Sequence, residues 1–259
     1  MWPDDVKLGW AQPLSWPYIN STTHISLLAM DRPTFTLLEG SRGGDIAEKR
    51  ENQVAEGLRL GCTHILLLDA DMVYPQETLV DLFAILRDHD ADMAGGLCYR
   101  GYEPYDPLIW SMEGEGLLKP FEDYKFGDIV RAAATGAACL LIKREVFEKV
   151  ERPWFRIQSE EKTVDGKIVV IRRGEDTYFT RRATTAGFKL LINTAYDIGH
   201  MREFAVDRHF WITFGILNKL GSWSNAFKLF RKLGDKSWRD RELGESTVVN
   251  NSEGGSENA

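Results

Sequence analysis

No stretch of the 259 residues approaches the ~20 consecutive apolar residues that a bilayer-spanning helix needs. The opening MWPDDVKLGW has no basic segment followed by an apolar run. The expectation is a cytoplasmic protein. Cysteine is scarce as well. Cys62, Cys98 and Cys139 stand far apart, form no CxxC pair and are too few to frame a chain of this length with disulfides, so they are expected as reduced core residues. Positive charge is not in excess either: a formal net charge of -7 excludes a protein that coats nucleic acid over its whole surface, while leaving room for a local basic patch. One such patch runs from Lys219 to Arg241, with seven basic residues against two acidic ones. What is present in ordinary amount is hydrophobic residues, 43%, enough for a sizeable core. No internal repeat is visible.

Short apolar runs alternate with segments of helical period, the pattern of a mainly parallel sheet flanked by helices. Residues 6 to 12 and 34 to 38 read as the first two strands. A helix is predicted over 46 to 60, with Ala47, Val54 and Leu58 turned inward and Gly61 supplying a left-handed cap. Residues 64 to 68 are a continuous buried strand. Pro75 suits the first turn of a helix whose Leu79, Leu82, Phe83 and Leu86 share a face. A strand begins at 92 to 95. Residues 1 to 96 thus read as a nucleotide-binding half, with ligands expected beyond the carboxyl ends of its strands. Further on, strands are predicted at 108 to 112, 129 to 134, 138 to 142 and 190 to 192, and helices at 144 to 150 and 176 to 186. A tight hairpin turn is expected at Asp165-Gly166. Beyond His200, Val206, Phe210, Phe214 and Leu217 trace one helix face, and Ala226, Phe227, Phe230 and Leu233 a second.

The segment HILLLDADMVYP, residues 64 to 75, ends a buried strand in Asp69-Ala70-Asp71. Two carboxylates one residue apart on the lip of a sheet suit a hard divalent cation with oxygen ligands. Such a cation would bridge a donor's two phosphates and stabilise charge on a departing nucleoside diphosphate. The alternative is a pair of solvated acids that cap a helix.

Four motifs then follow in order: the DAD-M-x-x-P just described, TGAACLLIKREVFEKV, PWF, and GEDTYFTRRATTAGFKLLINTAYDIGH. Over residues 5 to 202 this order resembles a glycosyltransferase of the GT-A fold, closest to the family-two type of bacteria and their phages. The resemblance implies an α/β fold with a mainly parallel central sheet: a catalytic domain over 1–202, with 97–202 as its acceptor half. A helical appendage over 203–244 and a disordered tail over 245–259 complete the expected organisation. It implies transfer of a sugar from a nucleotide sugar, UDP-sugar favoured and GDP-sugar second. It matches Asp71 to the direct metal ligand and His200 to a further protein contact with the metal. Asp69 matches a residue that touches the donor ribose or a metal-bound water. An imidazole ligand favours Mn²⁺ over Mg²⁺. Asp176 matches a general base for an inverting transfer, with Glu175 positioning the acceptor or Asp176. Helix capping by Asp176 and a loop hydrogen bond from His200 are the structural alternatives.

Position alone offers Gln12 and Pro13 after the first strand, and Glu39 after the second, as nucleobase contacts, with Ala70 lying beside the donor between the two acids. Arg50, in Lys49-Arg50-Glu51-Asn52, departs from the Ala-Arg-Asn of the family and is expected at a phosphate or ribose. Thr135-Gly136-Ala137 would let backbone approach a sugar, Trp154 stacks on a sugar or sits in the core, and Arg100 meets a phosphate or solvent. Three roles stand open for the basic C-terminal helices: a packed cap, a membrane-surface contact through Trp211, Trp223 and Trp238 toward a lipid-linked acceptor, or a phosphate contact to DNA carrying a modified base. Rival functions are retaining transfer, DNA-directed transfer, and a non-catalytic module that binds nucleotide sugar or nucleic acid.

Overall fold

The computed structural model describes residues 5–14, 19–39, 44–102, 106–113, 117–121, 123–164, 167–202 and 248–249. Both expected C-terminal helices, with their aromatic and basic residues, lie outside the described residues, as do Asp165 and Gly166. Among the described residues no helix is long and apolar enough to cross a membrane.

The chain opens with β1 (Leu8–Ala11), α1 (Ser21–Ala29), β2 (Phe35–Leu37), α2 (Ile46–Arg59) and β3 (His64–Leu68). It continues through β4 (Met72–Val73), α3 (Thr78–Asp88), β5 (Met93–Cys98), β6 (Ile109–Glu113) and β7 (Leu117–Pro120). Then come β8 (Ile129–Arg131), β9 (Ala134–Thr135), β10 (Cys139–Lys143), α4 (Arg144–Lys149), β11 (Gln158–Val164) and β12 (Lys167–Arg173). The last elements are α5 (Glu175–Thr185), β13 (Leu190–His200) and β14 (Val248–Val249).

Eight strands of the main sheet run in the order β14-β8-β13-β5-β10-β3-β1-β2, with β4 paired to the far end of β13. Strands β2, β1, β3, β5 and β13 all point one way, and β10 runs antiparallel between β3 and β5. The α/β architecture with a mainly parallel central sheet is therefore the one expected. Strand β3 is apolar throughout because both faces are covered. Ile65 and Leu67 join the core that includes Val54, Phe147 and Phe179, from α2, α4 and α5, while Leu66 and Leu68 join the core that includes Leu27, Leu79 and Leu82, from α1 and α3. Burying each such leucine stabilises the fold by roughly 1.5–3 kcal/mol relative to exposure. The three cysteines are free and buried.

Local signals explain most boundaries. Asp45 caps α2 by accepting from the Glu48 N–H at 2.9 Å, and Gly61 follows the helix at φ +75. Helix α1 was not anticipated, although Asn20 caps it by accepting from Thr22 N–H at 2.8 Å. Pro75 precedes α3 instead of starting it, and its carbonyl accepts from the Thr78 hydroxyl at 2.7 Å. Strand β13 runs far beyond the expected 190–192: a register shift between Asn193 and Asp197 lets it bend and continue to His200. Val164 pairs with Lys167, so β11 and β12 form the expected hairpin. Val248–Val249 pairs in parallel with Ile129 and Val130, inside the stretch expected to be a tail.

Candidate active site

Strand β3 delivers Asp69 to the edge of the sheet, and the chain turns at once into β4. Tyr74 makes that turn rigid. Its buried hydroxyl accepts from the Asp69 N–H at 3.1 Å and lies 2.8 and 3.0 Å from the carbonyls of Asp69 and Ala138. Burial raises the Tyr74 pKa well above its ordinary value, so the hydroxyl keeps its proton and donates. Gln12, just past β1, donates its side-chain amide to the Asp69 carbonyl at 3.1 Å. Gln12 thus holds the turn, while Pro13 beside it is buried and Glu39 is exposed.

The two acids of the turn diverge. Asp69 Oδ1 receives Arg50 Nη2 at 2.5 Å, and the other guanidinium nitrogen of Arg50 is bonded to Glu175. Arg50 is 1% exposed, so it does not face a phosphate or ribose as the sequence suggested; it is a buried counter-ion shared by two carboxylates. Burial alone would lower its pKa, but Asp69, Glu175 and Asp176 together hold it above its ordinary value. Burial and the neighbouring carboxylates in turn push Asp69 and Glu175 up, against the pull of Arg50. Glu175 is thereby tied to α2 through Arg50 while it also lines the same cleft as Asp176.

Asp71 points the other way. Its Oδ2 lies 3.2 Å from His200 Nε2 and 2.7 Å from Arg202 Nη1. The β4–β13 pairing places them together, with His200 opposite Met72 and the Met201 N–H donating to the Asp71 carbonyl at 2.7 Å. Partial burial would raise the Asp71 pKa, but His200 and Arg202 outweigh it and hold the carboxylate below its usual range. The Asp71 hydrogen bond in turn raises His200. His200 Nδ1 sits 2.9 Å from the Tyr99 carbonyl, which can only accept, so Nδ1 carries a proton and neutral His200 presents its lone pair at Nε2. A neutral imidazole lone pair beside a carboxylate is a donor set suited to a cation. Asp69 does not complete it, because Arg50 draws that carboxylate away, and no group of three His, Cys, Asp or Glu side chains able to hold a metal ion occurs among the described residues. A cation bound by Asp71 and His200 would take its remaining ligands from water and substrate oxygens.

A cleft of about 500 Å³ connects these groups to α5. Asp69, Glu175, Asp176, His200 and Arg202 form its polar wall, and Leu108, Trp110, Leu117 and Leu118 its apolar wall. Helix α5 is capped by Gly174, so Asp176 is not the cap. Asp176 Oδ1 accepts from Thr177 N–H at 2.6 Å and Oδ2 from Ala137 N–H at 3.4 Å. A Cβ on Gly174 would lie 2.6 Å from Asp176 Oδ1, and one on Gly136 would lie 3.4 Å from Oδ2. Gly174 therefore makes room for this carboxylate, while Gly136 gives way chiefly to Leu108, whose Cδ1 would lie 3.0 Å from a Cβ there.

Trp154 is core: its indole N–H is bonded to the Phe147 and Val150 carbonyls at 3.0 and 2.9 Å. Arg100 lines the cleft beside Tyr102, 3.9 Å from Asp106. The sequence reading missed Tyr74, Arg202 and the β6–β7 wall with Trp110. Tyr74 and Arg202 each stand within a few residues of a recognised acid or histidine, a signal that was available. Trp110 carried none.

Neither a protein-family model nor a curated protein sequence matches the chain. Among solved structures, A197 from STIV superposes with a TM-score of 0.52 at 18% identity, over 76% of this chain and 87% of that one. GalNAc-T7, crystallised with UDP, GalNAc and Mn²⁺, gives 0.49 at 14% over 78% of this chain and 45% of that chain. Residues 1–349 of S. aureus TarS, in complex with UDP-GlcNAc, give 0.46 at 13% over 78% and 60%. The chain thus spans about half the length of these last two. The likeness is one of fold, the GT-A-like α/β arrangement expected from the sequence.

Proposed function

We propose that the protein is a divalent-cation-dependent glycosyltransferase that moves a sugar from a nucleoside diphosphate, UDP favoured, to an acceptor hydroxyl with inversion. The observation that carries this reading is the meeting of Asp71 and His200 at 3.2 Å, where the β4–β13 pairing brings the two together and His200 lines the cleft that also holds Asp176. UDP occupies the GalNAc-T7 structure with Mn²⁺, and UDP-GlcNAc the TarS structure.

Asp71 and His200 would hold the cation, Mn²⁺ favoured by the imidazole ligand. When bound, it would neutralise the diphosphate and stabilise the charge on the leaving group. Asp69, anchored by Arg50, and Gln12 fix the turn so that Asp71 projects without rearrangement. Asp176 takes the proton from the acceptor hydroxyl as that oxygen attacks the sugar. Arg50 holds Glu175 beside Asp176 and favours its ionised form against the effect of burial, and the charged form adds to the negative field that favours proton uptake by Asp176. Trp110 and its leucine neighbours offer the acceptor a dry, apolar face.

The test is a panel of UDP- and GDP-sugars incubated with the protein and Mn²⁺, with free nucleoside diphosphate measured. At least one donor should be turned over, and Asp71→Asn should abolish that turnover. Equal turnover in EDTA would remove the cation from the reading.

A further inference from the structure

Arg202 is absent from the role assigned to the site, yet it is built into it. Its Nη1 lies 2.7 Å from Asp71 Oδ2, the oxygen that also faces His200. Its Nε donates to the Gly101 carbonyl at 2.7 Å. A Cβ at position 101 would overlap the guanidinium, so the glycine leaves the path along which Arg202 reaches Asp71. The side chain is 45% exposed and Asp71 42% exposed, so the pair can open without unfolding its surroundings.

We propose that Arg202 is the resident counter-ion of Asp71, holding the carboxylate in place when no divalent cation is bound and competing with that cation for the same oxygen. A carboxylate oxygen that already accepts a charge-assisted hydrogen bond is a weaker metal ligand, and a guanidinium at this distance repels an arriving dication. Arg202 therefore lowers the intrinsic metal affinity of the site. It also keeps Asp71 oriented for the moment when cation and diphosphate arrive together and supply enough binding free energy to displace it. This rests on the cation reading above.

The experiment is a Mn²⁺ titration of the nucleotide-free protein, following loss of the free-ion electron paramagnetic resonance signal, for the unmodified chain, Arg202→Gln, Gly101→Ala and Asp71→Asn. Gly101→Ala dislodges Arg202 without changing any charge, so it covers the case in which Arg202→Gln folds poorly. Arg202→Gln and Gly101→Ala should each bind Mn²⁺ roughly two- to fivefold more tightly, the scale of a half-exposed ion pair. Asp71→Asn should bind none at this site. Asp71-dependent binding that is unchanged or weakened in both Arg202→Gln and Gly101→Ala would overturn the counter-ion role and leave the glycosyltransferase reading standing. Absence of Asp71-dependent binding in all of them would overturn both.

Discussion

Arg50→Met removes the one positive group that Asp69 and Glu175 share in the interior. Side-chain exposure at the pair is 2% for Arg50 and 9% for Glu175, so water cannot replace the lost partner without opening the α2–α5 contact. Breaking a buried pair from one side costs about 3–5 kcal/mol, because an uncompensated charge remains. At about 2–4 °C per kcal/mol for a domain of this size, the melting temperature should fall by roughly 6–20 °C at pH 8. The pH dependence has a definite sign. Burial already pushes the Glu175 pKa up, and loss of Arg50 raises it further. A carboxylate whose folded pKa lies above its unfolded value is stabilising below the unfolded value and loses that contribution as pH rises. The deficit of Arg50→Met should therefore shrink as pH is lowered from 8 toward 5. Glu175→Gln placed in the same chain should recover about 1–3 kcal/mol, since the stranded charge is gone. Urea unfolding of the two single variants, the double variant and the parent at three pH values measures all of this. A deficit below about 1 kcal/mol at pH 8, or one that grows as pH falls, would refute the shared-counter-ion argument.

Asp176→Asn should leave UDP affinity unchanged and depress transfer by about 10²–10⁴, the contribution of a general base; a loss of only a few-fold in steady-state kinetics would assign the proton transfer elsewhere. Tyr74→Phe should cost about 1–3 kcal/mol in urea unfolding and weaken metal-dependent nucleotide binding, because the carbonyls of Asp69 and Ala138 lose their shared donor. Burial lowers the His64 pKa to about 4, so its contribution is present above the unfolded histidine value and is lost as pH falls toward 4. Between pH 7 and 5 the parent should lose about 1 kcal/mol that His64→Gln does not, allowing for solvent screening. Parallel melting curves for the two proteins would exclude His64 as the source.

Legibility in the sequence followed the range of the forces. Strand β3 and helices α2, α4 and α5 could be placed because a buried strand and an amphipathic helix write their burial into local period. Asp69, Asp71, Asp176 and His200 stand out in the sequence for a similarly local reason, since their neighbours carry the motif. What failed was long-range. Arg50 looks like a charge on a surface helix, and only the tertiary approach of the β3 end and of α5 reveals Asp69 and Glu175 against it. The insertion of β10 antiparallel between β3 and β5 leaves no local mark, because a strand buried on both faces reads alike in either direction. Helix α1 was overlooked because its apolar residues Ile25 and Leu28 are exposed, so the stripe that should betray an amphipathic helix is blurred.

The account stands most directly on nucleoside diphosphate binding that requires both a divalent cation and Asp71. Calorimetric titration of UDP into the parent chain should give a measurable Kd with Mn²⁺ and at least a tenfold loss of affinity in EDTA, about 1.4 kcal/mol or more, with the same loss in Asp71→Asn despite Mn²⁺. Equal UDP affinity in EDTA and Mn²⁺, or full affinity in Asp71→Asn, would contradict the assignment of Asp71 and His200 as the cation-holding pair.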